Sequence, residues 1–199
     1  MSLDGGRSAG LILAAGGSSR MGSPKQLLAW QGRPLLEHVV AQANGSALDD
    51  VLVVLGGNAD RILAEVDFGR ARTVLNREYA SGMASSLKAG LGAIGPEIGR
   101  AVVILGDQPA ISAELLDRLL DLQRESGLPA AALSFGGLLH PPVILERELW
   151  PGLDSLQGDV GCRALIRGRA ELVAALPVSE DPEHPVDIDT PEDYRRLTE

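Results

Sequence analysis

The sequence has few cysteines, histidines and positive charges, and each shortage excludes a class of protein. The single cysteine, Cys162, cannot form an internal disulfide, so we expect a reducing, cytoplasmic setting in which Cys162 is a small buried hydrophobic residue. Three scattered histidines give no recognisable zinc-ligand spacing. A formal net charge of -9 argues against a nucleic-acid or anionic-membrane partner, because both attract a broad cationic surface.

Long apolar runs are also missing. Residues 1–8 are polar, and the apolar run at 9–15 is too short for the core of a signal peptide. No run approaches the roughly 20 apolar residues that a bilayer-spanning helix needs. At 199 residues, 45% of them hydrophobic, the chain can bury one sizeable core. We therefore expect a soluble protein with a single domain over residues 1–199.

Short apolar runs alternate with segments of helical periodicity. Runs that are apolar throughout are typical of strands covered on both faces. The alternation predicts an α/β protein with a three-layer Rossmann-like fold and a mostly parallel mixed sheet. The predicted strands are residues 10–15, 51–56, 72–75, 101–106, 131–135, 142–145 and 186–189. The predicted helices are residues 34–44, 59–66, 83–93 and 112–125, with Ser112 as an N-cap, and a last helix from Thr190.

A loop rich in glycine and serine follows the first predicted strand. Residues 16–19 read Gly-Gly-Ser-Ser, and the carboxyl edge of such a sheet is where ligands bind. Glycine lets backbone N–H groups approach an anion, and serine hydroxyls add donors. Arg20 can grip two phosphate oxygens and Lys25 adds a mobile charge, so the segment predicts a triphosphate site. A solvated surface turn is the alternative.

Two well-known nucleotide motifs do not fit this loop. From Gly16 the sequence reads G-G-S-S-R-M-G, which is not the G-x-G-x-x-G fingerprint, and no acidic residue ends the next strand to hold a ribose. A Walker A loop would need Gly-Lys-Ser or Gly-Lys-Thr in direct succession. The loop is therefore a phosphate-binding candidate of another kind.

Acidic residues far apart in the sequence are candidates for a metal site. Asp107 directly follows a predicted buried strand in G-D-Q-P, which favours a metal ligand over an ordinary turn acid. Near the end of the chain, the alternation in V-D-I-D places Asp187 and Asp189 on one face of a strand. Helix capping by Asp189 and solvent exposure of Asp187 are the alternatives.

The string L-A-A-G-x-S-x-R-M-G-x-x-K-Q-L-L, at residues 13–28, resembles the signature of MobA-like nucleotidyltransferases. Within them it is most similar to molybdenum cofactor cytidylyltransferases. The resemblance implies the nucleotide-diphosphosugar-transferase type of fold, with CMP passing from CTP to the phosphate of molybdopterin-bound cofactor and pyrophosphate leaving. Ala15 stands where guanylyl-transferring relatives have glycine, which favours CTP. The implied nucleotide-binding residues here are Leu13, Ala14, Ala15, Gly16, Gly17, Ser18, Ser19, Arg20, Met21, Gly22 and Lys25.

The resemblance also implies catalytic and metal-binding residues. Arg20, Lys25 and Asp107 are the implied catalytic residues. G-D-Q-P and D-I-D-T-P-E-D-Y resemble family motifs, which implies that Asp107 and Asp189 bind a catalytic Mg²⁺.

Two further segments resemble substrate-binding parts of the family. The stretch N-R-E-Y-A-S-G-M-A-S-S-L-K-A-G begins at residue 76 and implies a base and ribose site at the start of a helix, with Ser81 as that helix's N-cap as an alternative. The residues of this site are Ser81, Gly82, Ser85 and Ser86. In the region that resembles the family's second-substrate site, His140 and Pro141 precede a predicted strand. His140 is a candidate for contact with a pterin or a phosphate, and a structural role is the alternative. Arg163 could pair with Asp159 instead of with substrate.

The implied partners are CTP, a molybdopterin-type acceptor, and a molybdoenzyme or its maturation chaperone as recipient. Other functions stay open from the sequence. One is nucleotide transfer to another phosphorylated acceptor, and a second is an oxidoreductase that binds a nicotinamide nucleotide on the same fold. A third is a noncatalytic molybdopterin chaperone, which Lys25, Asp107 and Asp189 disfavour because storage needs no triphosphate site.

Overall fold

The computed structural model describes residues 6–16, 24–178, 192, 194 and 195. The strands in this part of the chain are β1 (Arg7–Ala14), β2 (Ala29–Trp30), β3 (Arg33–Pro34), β4 (Asp50–Leu55), β5 (Arg72–Leu75), β6 (Ile98–Leu105), β7 (Ala130–Phe135), β8 (Leu138–Glu146) and β9 (Val173–Pro177). The α-helices are α1 (Leu35–Gly45), α2 (Ala59–Glu65), α3 (Met83–Gly92), α4 (Ala113–Ser126) and α5 (Arg163–Ile166). The 3₁₀-helices are Lys25–Leu27, Tyr79–Ser81, Arg147–Ser155 and Ala170–Leu172.

Seven strands form one mixed sheet in the order β5-β4-β1-β6-β8-β7-β9, and β2 pairs with β3 in a separate hairpin. β1 lies between β4 and β6 and is parallel to both. Within the described part of this seven-stranded sheet, only β8 runs antiparallel to its neighbours, β6 and β7, which confirms the predicted α/β fold with a mostly parallel mixed sheet. After β1 the chain builds β4 and β5 on one side and then β6 on the other, so a ligand crevice is expected at their carboxyl ends.

Helices and loops cover the sheet on both faces. Successive residues of β1 point to opposite faces, with Ile12 in one core cluster and Leu11 in another. Leu36 of α1 and Leu116 of α4 fill the first cluster, and Leu87 of α3 fills the second. All five side chains are fully buried, and each such burial contributes about 1.5–3 kcal/mol. The two packed layers therefore hold the strand ends in place.

The predicted helix boundaries agree with α1 to α4 to within one residue. Ser112 caps α4 as predicted, because its hydroxyl accepts a hydrogen bond from the backbone N–H of Leu115 at 3.1 Å, and Glu114 lies in the first turn. The short α5 follows the segment 158–161.

The strands differ more from prediction. β6 begins at Ile98 instead of residue 101. The prediction missed its first residues because Arg100 is polar, whereas in the fold Arg100 is buried and hydrogen-bonds Gln123 at 2.8 Å. β9 was not predicted, since its run of small Ala residues carries little strand signal. The strand predicted at 186–189 and the start of the last helix lie outside the described residues, although Glu192, Tyr194 and Arg195 are helical. In the described part of the chain no helix is long and apolar enough to cross a membrane.

Candidate active site

The carboxyl ends of β1 and β6 lie close together at one edge of the sheet. The backbone N–H of Gly106 donates to the carbonyl of Leu13 at 3.0 Å. A Cβ on Gly106 would lie only 3.1 Å from the Cβ of Ala14, so a side chain there would push the two strand ends apart. Gly16 and Asp107, which leave the two strands, therefore reach the same edge.

Lys25 and Asp107 meet at this edge, although 81 residues separate them in the sequence. The Nζ atom of Lys25 lies 3.7 Å from Oδ2 of Asp107, with the side chains 17% and 28% exposed. The pair is thus within reach of solvent and of a ligand. This arrangement brings together two of the three predicted catalytic residues, one cationic and one anionic.

Gln26 fixes the segment that carries Lys25. Its side-chain Nε2 donates to the carbonyls of Ala14 at 2.9 Å and of Gly16 at 3.3 Å, and the side chain is buried. The 3₁₀-helix Lys25–Leu27 is therefore tied to the end of β1. Sequence reasoning assigned Gln26 no role, although it stands in the K-Q-L-L part of the quoted signature.

The rest of the predicted phosphate loop lies outside the described residues. The residues concerned are Gly17, Ser18, Ser19, Arg20, Met21 and Gly22, so their contacts with a triphosphate stay a prediction. Of the flanking residues, Gly16 is exposed and a Cβ there would meet nothing within 4 Å. Ala15 is 5% exposed and packs in the core cluster with Leu11, so its methyl group belongs to the core.

The carboxylate oxygens of Asp107 suit a hard divalent cation that also binds phosphate oxygens. Mg²⁺ takes oxygen ligands, usually one or two carboxylates completed by water and phosphate oxygens. No group of three or more His, Cys, Asp or Glu side chains that could hold a metal exists among the described residues. A metal at Asp107 would therefore depend on nucleotide oxygens or on the predicted second ligand, Asp189, which lies outside the described part.

His38 of α1 supports the turn that carries Asp107. It forms a hydrogen bond with the backbone of Pro109, and burial lowers the pKa of the imidazole. The ring also contacts Trp30 edge-on, with centroids 6.4 Å apart. Sequence reasoning missed this residue, because an isolated histidine within a helical pattern gives no signal of its partner.

The segment from Asn76 to Gly82 connects β5 to α3 at the same edge of the sheet. The Asn76 side chain donates to the hydroxyls of Ser85 at 2.8 Å and Ser86 at 3.0 Å, and accepts from the N–H of Glu78 at 2.9 Å. Its own N–H donates to Leu55 at the end of β4 at 2.8 Å. One buried amide thus joins two strand ends to the first turn of α3.

The serines of this segment are engaged within the protein. Ser81 is not the N-cap of α3, as had been considered, because Gly82 occupies that position and the Ser81 hydroxyl donates to the carbonyl of Glu78 at 2.8 Å. The Ser85 hydroxyl donates to Gly82 at 2.8 Å, and Ser86 is buried. Their contacts with a nucleotide stay a prediction.

Gly82 also meets the loop that precedes α5. Its φ is 106°, and a Cβ there would overlap the backbone carbonyl group of Gly158. The Gly158 carbonyl accepts a hydrogen bond from the N–H of Ala84 at 3.1 Å. The predicted base and ribose segment is therefore in direct backbone contact with the loop that precedes α5.

His140 and Pro141 lie inside β8 and do not precede a strand as predicted. The strand tolerates the prolines because β8 pairs with β7 through a register shift near Leu133. His140 Nε2 is buried and has no hydrogen-bond partner among the described residues, and the Phe135 ring lies edge-on to it at 6.1 Å. Arg163 does not pair with Asp159 but donates to the carbonyl of Leu139 at 3.1 Å.

Cys162 is buried as predicted, and burial raises the pKa of its thiol to about 12. The folded state therefore favours the neutral thiol, and this contribution to stability is lost as the pH rises above the pKa of the unfolded thiol. At pH 8 we expect Cys162 of the native protein to react with a disulfide reagent about 10³-fold more slowly than Cys162 of the protein unfolded in urea, because a smaller fraction of the native thiol is ionised. Equal rates in the native and unfolded protein would contradict this assignment.

Comparison with known proteins defines the class. Residues 10–175 match the model of the MobA-like NTP transferase domain. The chain therefore belongs to the MobA-like family, and it has the α/β fold of nucleotidyltransferases.

Three individual proteins illustrate the similarity. The chain is 34% identical to nicotine blue oxidoreductase of Paenarthrobacter nicotinovorans, over 94% of this chain and 95% of that protein. It is 35% identical in sequence to an Rv0371c homolog from Mycobacterium sp. strain JC1. The crystal structure of that protein matches with a TM-score of 0.84, and the match covers 96% of this chain and 94% of that chain. The manganese complex of Rv0371c from Mycobacterium tuberculosis is 28% identical, with a TM-score of 0.82 over 96% and 97% of the two chains.

Proposed function

We propose that this protein transfers CMP from CTP to the terminal phosphate of a molybdopterin-bound molybdenum cofactor and releases pyrophosphate. The observation that carries the proposal is the Lys25–Asp107 pair, with 3.7 Å between Nζ and Oδ2, at the carboxyl edge of β1 and β6. A cation beside a carboxylate at the end of a phosphate-loop motif suits a triphosphate with a bound divalent metal. Family membership supports the same class of reaction.

The reaction needs alignment of two anions. An oxygen of the acceptor phosphate attacks the α-phosphorus of CTP, a new P–O bond forms, and the bond to the bridging oxygen of pyrophosphate breaks. The attacking oxygen is already ionised, so no general base is required. Lys25, Arg20 and the loop amides have the task of holding the triphosphate in line and of neutralising charge on the leaving group.

Asp107 would hold the divalent cation, with Asp189 as the proposed second ligand. When bound, Mg²⁺ would neutralise charge on the triphosphate and on the departing pyrophosphate. A manganese complex is known for a relative of similar fold, which supports the use of a divalent cation. Tying Lys25 to β1 through Gln26 keeps the ammonium within reach of the same phosphates.

The acceptor would bind beside the β7–β8 hairpin. A buried polar atom without a partner costs about 1–3 kcal/mol, and His140 Nε2 is such an atom among the described residues. Because the atom is buried, a ligand would reach it only by displacing the groups that cover it, and a hydrogen bond formed there would remove this cost. Together with the exposed Phe135 ring, the site suits a flat heterocycle that carries a polar edge, as a pterin does. The product would pass to a molybdoenzyme or its maturation chaperone.

A second candidate is an oxidoreductase that binds a nicotinamide nucleotide at the same edge. The name of the relative that is 34% identical, nicotine blue oxidoreductase, favours it. This candidate requires oxidation of reduced cofactor and forms no pyrophosphate. It also gives the Lys25–Asp107 pair no role in binding a triphosphate, so we prefer the transferase.

One assay separates these functions. Pyrophosphate release is measured with each of the four ribonucleoside triphosphates, with and without a molybdopterin-type acceptor, in the presence of Mg²⁺ or Mn²⁺. We expect release only with acceptor, and a rate with CTP roughly tenfold or more above that with GTP. Release with a sugar phosphate or alcohol phosphate instead would indicate another transferase. Oxidation of a reduced nicotinamide nucleotide without pyrophosphate would establish the oxidoreductase.

A further inference from the structure

We propose that the ring of Tyr79 forms one wall of the nucleobase site and contributes to nucleotide affinity through the base alone. This inference rests on the proposed function, since it assumes that a nucleoside triphosphate binds at Lys25 and Asp107. Tyr79 was given no role by sequence reasoning. It belongs to the 3₁₀-helix Tyr79–Ser81, directly before the N-cap of α3.

The Tyr79 ring lies across two glycines that follow β4. A Cβ on Gly56 would lie 2.7 Å from Tyr79 Cβ and 2.8 Å from Tyr79 Cγ. A Cβ on Gly57 would lie 2.8 Å from Tyr79 Cε2 and 3.1 Å from Cζ. The absence of side chains at both positions thus lets the ring lie along the backbone. Tyr79 still remains 38% exposed, so part of it is available to a ligand.

The ring is close to the end of β1. The Ala15 carbonyl oxygen lies 2.5 Å from the same Cβ position on Gly56 that the Tyr79 side chain approaches. Tyr79 therefore reaches the strand end from which the phosphate loop departs. β4 lies on the side of β1 away from β6, so the ring and the Lys25–Asp107 pair stand on opposite sides of the β1 terminus.

This placement assigns the two ends of the nucleotide. If Lys25 and Asp107 on the β6 side hold the triphosphate, the base extends across the end of β1 toward β4. The Tyr79 ring is an aromatic face available there, and every nucleobase has a π-face that can stack on an aromatic ring. Such a contact is tolerant of base identity, so it would contribute affinity more than selection of CTP.

The backbone around Tyr79 is fixed, which suits a preformed wall. Asn76 accepts from the N–H of Glu78 at 2.9 Å, and the Tyr79 carbonyl accepts from the N–H of Gly82 at 3.2 Å. The Glu78 carbonyl receives the hydroxyls of Ser81 at 2.8 Å and Ser85 at 3.0 Å. The backbone that carries the ring is therefore held in place before a ligand arrives, so little backbone ordering cost would be added on binding.

The test compares CTP with inorganic tripolyphosphate, which has the phosphates but no base. Affinities are measured by calorimetry with Mg²⁺ and without acceptor. We expect Tyr79→Ala to weaken CTP binding roughly tenfold, the usual effect of losing one base–aromatic contact, and to leave tripolyphosphate binding unchanged. Tyr79→Phe keeps the ring and should bind CTP within about twofold of the wild type.

Two further variants control the experiment. Gly57→Ala keeps the tyrosine at residue 79 but forces its ring to shift, because the new Cβ would lie 2.8 Å from Cε2. This variant should also weaken CTP binding and leave tripolyphosphate binding unchanged. It decides the question if Tyr79→Ala fails to fold. Leu63→Ala removes another exposed apolar side chain, 49% exposed on α2, and should change neither affinity.

The outcomes separate this inference from the proposed function. Unchanged CTP affinity in both Tyr79→Ala and Gly57→Ala, with CTP bound by the wild type, overturns the role of Tyr79 alone. Equal weakening of CTP and tripolyphosphate also overturns it, since the ring would then act on the phosphate site. A wild-type protein that binds no nucleoside triphosphate overturns both proposals.

Discussion

Lys25→Ala is expected to lower the rate of pyrophosphate release by about 10²–10³-fold, the usual effect of removing one preorganised group that stabilises transition-state charge. The melting temperature should change little. The Lys25–Asp107 pair is partly exposed, with 3.7 Å between its charged atoms, and such a pair contributes at most about 1 kcal/mol to stability. The backbone of the 3₁₀-helix and the buried Gln26 side chain, which hold this segment, remain. The measurements are steady-state kinetics with CTP and a thermal melt of the same preparation.

The chain supplies a matched control, because Lys25 and Lys88 are its only lysines. Lys88 lies on α3, and its Nζ donates to the carbonyls of Asp154 at 2.8 Å and Leu156 at 2.9 Å. Lys88→Ala removes these two bonds, so it should lower the melting temperature while turnover stays within about twofold. Wild-type turnover in Lys25→Ala would show that the triphosphate site has been placed at the wrong residue.

Asp107→Asn is expected to raise the metal concentration for half-maximal activity at least about tenfold, because the amide keeps the shape of the side chain but loses the charge that holds a divalent cation. The measurement is a Mg²⁺ and Mn²⁺ titration of pyrophosphate release at saturating CTP. Asp121→Asn makes the same chemical change on α4, at a side chain that is 65% exposed and pairs with Arg124 at 3.1 Å. That variant should titrate like the wild type.

Two comparisons sharpen the Asp107 result. If Lys25 and Asp107 act in one site, the double variant should lose less activity than the product of the two single losses, since neighbouring residues are not additive. Asp189→Asn tests the second proposed ligand separately and should also shift the metal titration. A titration that is identical in Asp107→Asn and wild type would remove Asp107 from the metal site.

The parts of this fold that were predictable are those with a strong local signal. The helices α1 to α4 have clear apolar periodicity, and Ser112 with Glu114 marks the start of α4, so their ends were placed to within a residue. β9 has no such signal, because alanines 174 and 175 suit either a helix or a strand. The early start of β8 was hidden by His140 and the prolines that follow it, which occupy strand positions only because of the register shift.

The candidate site was predictable where a residue's type and its position at a strand end point to chemistry. Asp107 after a buried strand and Lys25 after a glycine loop are such residues, and the structure brings them together. Gln26, His38 and Asn76 were not predictable in the same way. Their importance lies in tertiary hydrogen bonds to Ala14, Pro109 and the start of α3, and no local pattern reveals a partner that is distant in the chain.

The backbone contact between Gly82 and Gly158 limits which positions of this protein can be redesigned. Any side chain at residue 82 would overlap the peptide of residue 158, and displacing that peptide would remove the hydrogen bond to Ala84. A substitution at residue 82 therefore cannot be made without moving the start of α3. The side chains of Leu138 and Val160 are exposed, so a combinatorial library that tests the proposed acceptor site should be concentrated there while both glycines are kept constant.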